Sequence, residues 1–336
     1  MSVTFLIGNG FDISIGLKTR YSDFYDYIKN YFKSNENEIL MSIENDNDLW
    51  SNLEMGLGKY TRYIGNNEDK LEKFYENKFD LDIKLRDYLR KEEDRIDWKH
   101  NATIKNVEDN FKRYIYNFYE LFKPSEKDEI IRAIGNNIAS NYKIISFNYT
   151  NVIKRCVELL PNKTELLYLH GSLEKDNSIL GVNDSTQISN KYFSETSDML
   201  VSMCKLDINK EIGEYSTTLA ENMLSNDIIC ICGMSIGETD KYWWDKVVDN
   251  LVRGKINMVI IFRYDTELDM RNLLKVKRKK EFIQDQLLNF YSGEIEDRSM
   301  LKNKIKVLFN SNMFKLDVAF KEDNTVNELI ASTITN

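Results

Sequence analysis

The sequence predicts an α/β protein: a Rossmann-like, mostly parallel sheet with a large helical insertion after the first strand. Three observations lead there. Five short apolar runs, rich in Ile, Val and Leu and without strict alternation, have the pattern of strands covered on both faces. Stretches of helical periodicity separate them, as right-handed crossovers between parallel strands require. Between the first two runs lie residues 8–141, far more chain than a single crossover helix needs.

The strand candidates are residues 3–7, 142–147, 166–169, 227–232 and 257–262. Residues 304–309 make a sixth, and 316–320 a further one. Within the long first crossover, "DLWSNLEMGLGKYTRYI" sets Leu49, Leu53, Leu57 and Tyr60 at helical spacing. "LEKFYENKFDLDIKLRDYL" and "NVEDNFKRYIYNFYELF" repeat that theme, with dense charge between aromatics. Residues 31–139 therefore read as an inserted helical subdomain, and residues 1–30 with 140–336 as the nucleotide-binding α/β core. Further crossover helices are expected around 211–225, 240–253 and 266–290.

Composition narrows the classes. The 336 residues carry a net charge of −8, so general attraction to nucleic-acid phosphates is not expected. The basic run "KVKRKK" (275–280) reads as a solvated helix face, with a nucleic-acid contact as its sharper alternative. No apolar run approaches the ~18 residues that cross a membrane. The first run is short and lacks a basic flank, so no secretory signal is expected and the location is expected to be cytoplasmic. Cys156, Cys204, Cys230 and Cys232 form no C-x-x-C pair, which points to reduced buried thiols and to no metal site.

Ligands of parallel sheets sit beyond the carboxyl ends of the strands, so four loops matter. The first is Gly8-Asn9-Gly10-Phe11-Asp12. Glycines there permit positive φ and let backbone N–H groups approach a phosphate. The third glycine comes only at Gly16, so this is neither G-x-G-x-x-G nor a P-loop, and a plain strand-to-helix turn is the alternative. The second loop is Asn148-Tyr149-Thr150-Asn151, where Asn148 offers a donor pair and an acceptor to an amide or sugar. Asn148 or Thr150 could equally cap the helix that follows. The third is His170-Gly171-Ser172. A histidine at a buried strand end is placed to act as a general base, and a hydrogen-bonded structural histidine is the alternative. The fourth is Gly233-Met234-Ser235-Ile236-Gly237, a nucleotide contact or a turn into a helix.

These motifs in this order carry a resemblance. Gly8 to Asp12, then Gly16-Leu17, Thr19 and Tyr21-Ser22-Asp23-Phe24, then Trp50 and Glu54, then Ser146 to Thr150, His170-Gly171, and Gly233-Met234-Ser235 with Asp240 together resemble the AbiH-type phage abortive-infection family, to about residue 262. Lys18 stands where family members often carry proline, so a fixed φ is absent there. The family in turn looks like a remote relative of the sirtuins. That resemblance implies NAD as substrate, with Gly8 and Gly10 near its phosphates, supported by Asn9, Phe11, Asp12, Thr19 and Tyr21. It also implies Asn148 on the nicotinamide side, His170 beside Gly171 as base, and Gly233 and Ser235 at the adenosine. Sirtuin deacetylases add a four-cysteine zinc module, which this sequence lacks, so water is the implied acceptor and NAD glycohydrolysis the implied reaction.

Asp12 is then free to orient a ribose or a loop amide, and with Asp240 to converge on one site. Trp50 and Glu54, four apart, share a helix face that either packs within the insertion or lines the cleft. Two alternatives stand beside the hydrolase: a nucleotide-binding sensor without turnover whose insertion meets a phage or host partner, or a nucleic-acid-acting toxin. Self-association is a further expectation, from analogy with other defence systems.

Overall fold

The computed structural model describes residues 2–31, 37–44, 52–134, 141–162, 164–212 and 216–321. Its centre is one six-stranded, all-parallel sheet of β1 (Ser2–Ile7), β2 (Asn141–Ser146), β3 (Glu165–Tyr168), β4 (Ile228–Cys232), β5 (Met258–Arg263) and β6 (Ile305–Phe309). Each of the six expected strands is present, its ends shifted by no more than one residue. Buried strands announce themselves because both faces must be apolar: all five residues of β4 are buried.

Residues 316–320 are not a strand. Phe320 makes only an isolated antiparallel bridge to Ile96. The alternating Leu316, Val318 and Phe320 mimic a strand, but the segment lies against residues 95–106. It exchanges hydrogen bonds there through Asp97 N to Ala319 O, Ala319 N to Thr103 Oγ1 and Lys321 N to Arg95 O.

The strand order is β3-β2-β1-β4-β5-β6. Chain direction across the sheet reverses between β1 and β4, and the crevice beyond their carboxyl ends is the place such a sheet offers a ligand. The loops after β1 and β4 therefore face each other.

After β1 come α1 (Gly10–Ser14), α2 (Tyr21–Tyr31), α3 (Glu38–Glu44), α4 (Leu53–Tyr60) and α5 (Glu68–Asp94). Asn52 starts α4 by accepting from Met55 N, and Asn67 starts α5 by accepting from Lys70 N. Leu71, Phe74, Leu81, Leu85 and Leu89 make the buried stripe of α5. Leu49 and Trp50 lie outside the described residues.

The apolar contacts form three clusters. One sheet face packs Phe5 and Phe11 against Phe111, Phe118 and Phe314. The other packs Ile229 and Ile261 against Trp244, Val248 and Leu287. The third lies away from the sheet and joins α2 to α5 with residues 173–204, through Phe24, Leu57, Leu85, Val182 and Met203. Among the described residues of 31–139, those from Ile39 to Leu89 share a helical lobe with the 173–204 segment, and those from Ile96 to Ile134 pack on the sheet.

The later crossovers hold helices Lys205–Glu211 and Ser216–Met223, then Lys241–Val252, then Leu273–Leu288. Among the described residues no helix is long and apolar enough to cross a membrane.

Candidate functional site

A cavity of about 220 Å³ opens beyond β1, β2 and β4, roofed by the helical lobe. Its lining includes Gly8, Asn9, Asp12, Thr19, Tyr21, Asn148, His170, Gly233 and Ser235, so the four loops do converge. Glu54 and Asp240 also line it. Gly10 and Phe11 instead line an adjoining cavity of about 750 Å³ toward β5 and β6. Gly171 faces elsewhere. Its φ is +73°, and a Cβ there would meet the Asn177 carbonyl oxygen at 1.9 Å, so only glycine lets the 171–177 loop close.

The glycine loops are packed against each other. Gly8 N donates to Cys232 O at 3.0 Å, Gly10 N to Gly233 O at 2.8 Å, and Phe11 N to Gly8 O at 2.9 Å. A Cβ on Gly10 would lie 2.5 Å from Gly233 Cα, and one on Gly8 2.5 Å from Met234 Cγ. Those three amides are thus spent on the protein. Asn9 and Thr19 close the loop from the other side: Thr19 Oγ1 donates to Asn9 Oδ1 at 2.5 Å, and Asn9 Nδ2 donates to Thr19 O at 2.8 Å. At Lys18 the backbone N–H donates to Glu92 Oε2 at 2.8 Å, a bond proline could not make.

The opposite wall carries polar atoms without partners. Both amide atoms of Asn148, Nδ1 of His170 and Oδ1 of Asp12 are buried without a well-aligned hydrogen bond, and the Asn148 amide lies close enough to Asp12 to favour its ionised form. Neither Asn148 nor Thr150 caps the next helix. Asn151 holds the N-cap position, and its N–H donates to Glu93 Oε2 at 2.8 Å. Thr150 Oγ1 donates to Asp12 Oδ2 at 2.7 Å. An unsatisfied buried polar group is costly, so four on one cavity wall make it the candidate ligand surface.

Behind them runs a buried charge network. His170 Nε2 lies 3.3 Å from Asp240 Oδ1, which is 3.2 Å from Lys205 Nζ, which is 2.9 Å from Glu54 Oε2. Burial pushes Asp240 up, but Lys205 and His170 outweigh it and hold the carboxyl well below its ordinary value. Burial would lower Lys205, yet the two carboxylates raise it. Burial, aided by the Lys205 charge, lowers His170 against the pull of Asp240, so the imidazole is neutral at pH 7. Because charged Asp240 accepts from Nε2–H, the lone pair sits on Nδ1, the orphaned atom.

Two more carboxyls are shifted. Burial pushes Glu54 up to about 7, with Lys205 opposing and Asp240 adding. Burial likewise pushes Asp12 up to about 7, with Thr150 opposing and Glu93 adding. Both can exchange protons near neutrality. The Tyr21 and Tyr149 phenols lie close to each other and to Glu54, and burial raises both.

Lys205 is the site residue that sequence reasoning missed. It sits in "CKLDINKE", where a lysine reads as solvated. One weak signal was present: it is the first residue of its helix, the end where a cation opposes the helix dipole. Among the described residues, no group of three or more His, Cys, Asp and Glu is arranged to hold a metal ion.

A protein-family model described as "Bacteriophage abortive infection AbiH" matches residues 4–262. No curated protein matches the chain.

Proposed function

The chain belongs to the AbiH family of bacteriophage abortive infection, and from that premise we propose that it is a phage-defence effector that hydrolyses NAD to ADP-ribose and nicotinamide. The observation that carries this reading is the cavity wall of Asn148, His170 and Asp12, with four unpartnered polar atoms at the switch point of a parallel sheet.

The nicotinamide riboside end enters the smaller cavity. The remainder of the dinucleotide passes Asn9, Gly233 and Ser235, which line both cavities, into the larger one. There Arg20, Arg263 and Lys315 supply positive charge for the diphosphate. The glycines act by letting two loops touch, so that this passage has its shape.

In the reaction the C1′–N bond breaks and its electron pair returns to the pyridinium nitrogen, giving neutral nicotinamide. Positive charge grows on the ribose, as in other glycosidic cleavages. A water oxygen bonds to C1′, and His170 Nδ1 takes the water proton. Asp240 stabilises the imidazolium through Nε2–H, in the manner of an orienting carboxylate behind a base. Asn148 holds the nicotinamide amide or the attacking water. Asp12, titrating near neutrality, accepts from a ribose hydroxyl when ionised.

The test is NAD loss and nicotinamide release by the purified chain, and NAD content of expressing cells with and without phage, each beside His170→Ala. A fall in NAD that the variant abolishes supports the hydrolase and its base together. Unchanged NAD during a working defence response would overturn cleavage.

A further inference from the structure

Unpartnered buried polar atoms gather in a second place, far from the glycine loops. A cavity of about 340 Å³ lies in the helical lobe, between α5 and the 178–208 segment. Tyr75, Asp82 and Ser178 all line it, and Asp82 Oδ1 and Ser178 Oγ are buried without a hydrogen bond. The Tyr75 phenol lies close to the Ser202 hydroxyl, which donates to Met199 O at 3.1 Å. Lys78 completes the polar side, one helical turn before Asp82 on the same face of α5.

The chemistry of this wall is specific. Burial lowers Lys78 and raises Asp82, and each favours the charged form of the other. One cation facing one carboxylate gives no net charge, so the matching ligand is uncharged. A lysine donates and a carboxylate accepts, and a pair of neighbouring hydroxyls meets both at once. Phe79, largely exposed, follows Lys78 on α5, and the facing side is apolar, made by Ile179, Leu180, Val201 and Ile208. It suits a flat ring, and the volume falls in the range of small-molecule sites.

We propose that this cavity binds a ribonucleoside, its 2′,3′-diol on Lys78 and Asp82 and its base against Phe79 and Ile179. The site is separate from the NAD cavity but joined to it by one residue. Ile179 N donates to His170 O at 2.9 Å, and Tyr149 OH donates to Ile179 O at 2.9 Å. A ligand pressing on Ile179 therefore bears on the backbone of the base and on a tyrosine of the first cavity's lining.

The test titrates the full chain with adenosine, guanosine, cytidine and uridine, and with their 2′,3′-dideoxy counterparts, by calorimetry and thermal shift. At least one ribonucleoside is expected to bind saturably, with a dideoxy analogue at least tenfold weaker. Asp82→Asn and Lys78→Met should weaken it similarly, and His170→Ala should leave it unchanged. The dideoxy series needs no variant, so it decides even where a substitution prevents folding. No binding by any nucleoside at millimolar concentration would overturn the proposal. So would binding indifferent to the diol, or binding lost in His170→Ala but kept in Asp82→Asn, which places it in the first cavity. None of these outcomes depends on whether the chain cleaves NAD.

Discussion

Two walls of the same cavity obey opposite rules. The glycine joint between the β1 and β4 loops is closed: the Gly8, Gly10 and Phe11 amides are bonded, and Gly8, Gly10 and Gly233 have no room for a methyl group. The facing wall of Asn148, His170 and Asp12 is open, with four buried polar atoms that make no well-aligned hydrogen bond. The contrast separates two jobs that a sequence motif blends. Gly8, Gly10 and Gly233 hold two loops together, while Asp12, Asn148 and His170 turn polar atoms to the cavity.

The largest expected effect lies behind the open wall. Lys205→Met leaves Glu54 and Asp240 without their shared cation, and breaking such a buried network costs about 3–5 kcal/mol of stability. Chemical denaturation checks it, and a loss under 1 kcal/mol would mean water already reaches the pair. His170→Ala comes next. Removal of a general base costs roughly 10²–10⁴ in rate, and loss of the Nε2 bond to Asp240 costs a smaller amount of stability, about 1–3 kcal/mol. NAD turnover measured beside a melting curve, well below the midpoint, separates the two effects. If turnover falls only as far as the variant unfolds, the open wall is structural.

Gly10→Ala sharpens the contrast from the closed side. Its methyl would sit against Gly233 backbone, which has no flexible end to swing away, so a loss of about 1–3 kcal/mol is expected. A fully stable Gly10→Ala that fails to bind NAD would make the loop a ligand cradle and erase the distinction.

A pH effect follows from Asp12. Its folded carboxyl titrates near 7, above its ordinary value, so its contribution is complete below about pH 4. That contribution fades as pH rises through 7. The span, from its ordinary value to about 7, is on the order of 4 kcal/mol. Asp12→Asn should flatten the stability profile between pH 4 and 8, and a profile unchanged in the variant would show Asp12 to be hydrated. Asp240 works in the other direction: its folded carboxyl is held low, so its contribution is present above about pH 4 and lost below.

The smallest effect is expected for Asn148→Leu. Replacing an unsatisfied buried amide by an apolar group of similar size is nearly neutral or gains up to about 1 kcal/mol, while NAD affinity should drop. A clear destabilisation would mean the amide has a partner in solution.

The sequence by itself determined the six strands, the alternation with helices and the loops where a site could form. Burial on both faces writes a continuous apolar run into each strand, and that signal is local. It was misleading at 316–320, where alternation reflects packing against residues 95–106. It also left Glu54 undecided between packing and lining. Only the tertiary structure decided that Glu54, from the helical lobe, and Lys205, from a crossover between β3 and β4, meet Asp240 and His170. It likewise decided that Gly10 packs on Gly233 while Asn148 stays free. Those facts depend on strand order and on how a helical lobe sits over the sheet. Contacts between residues 151 positions apart leave no periodic trace in the chain, because each partner alone looks like an ordinary surface charge.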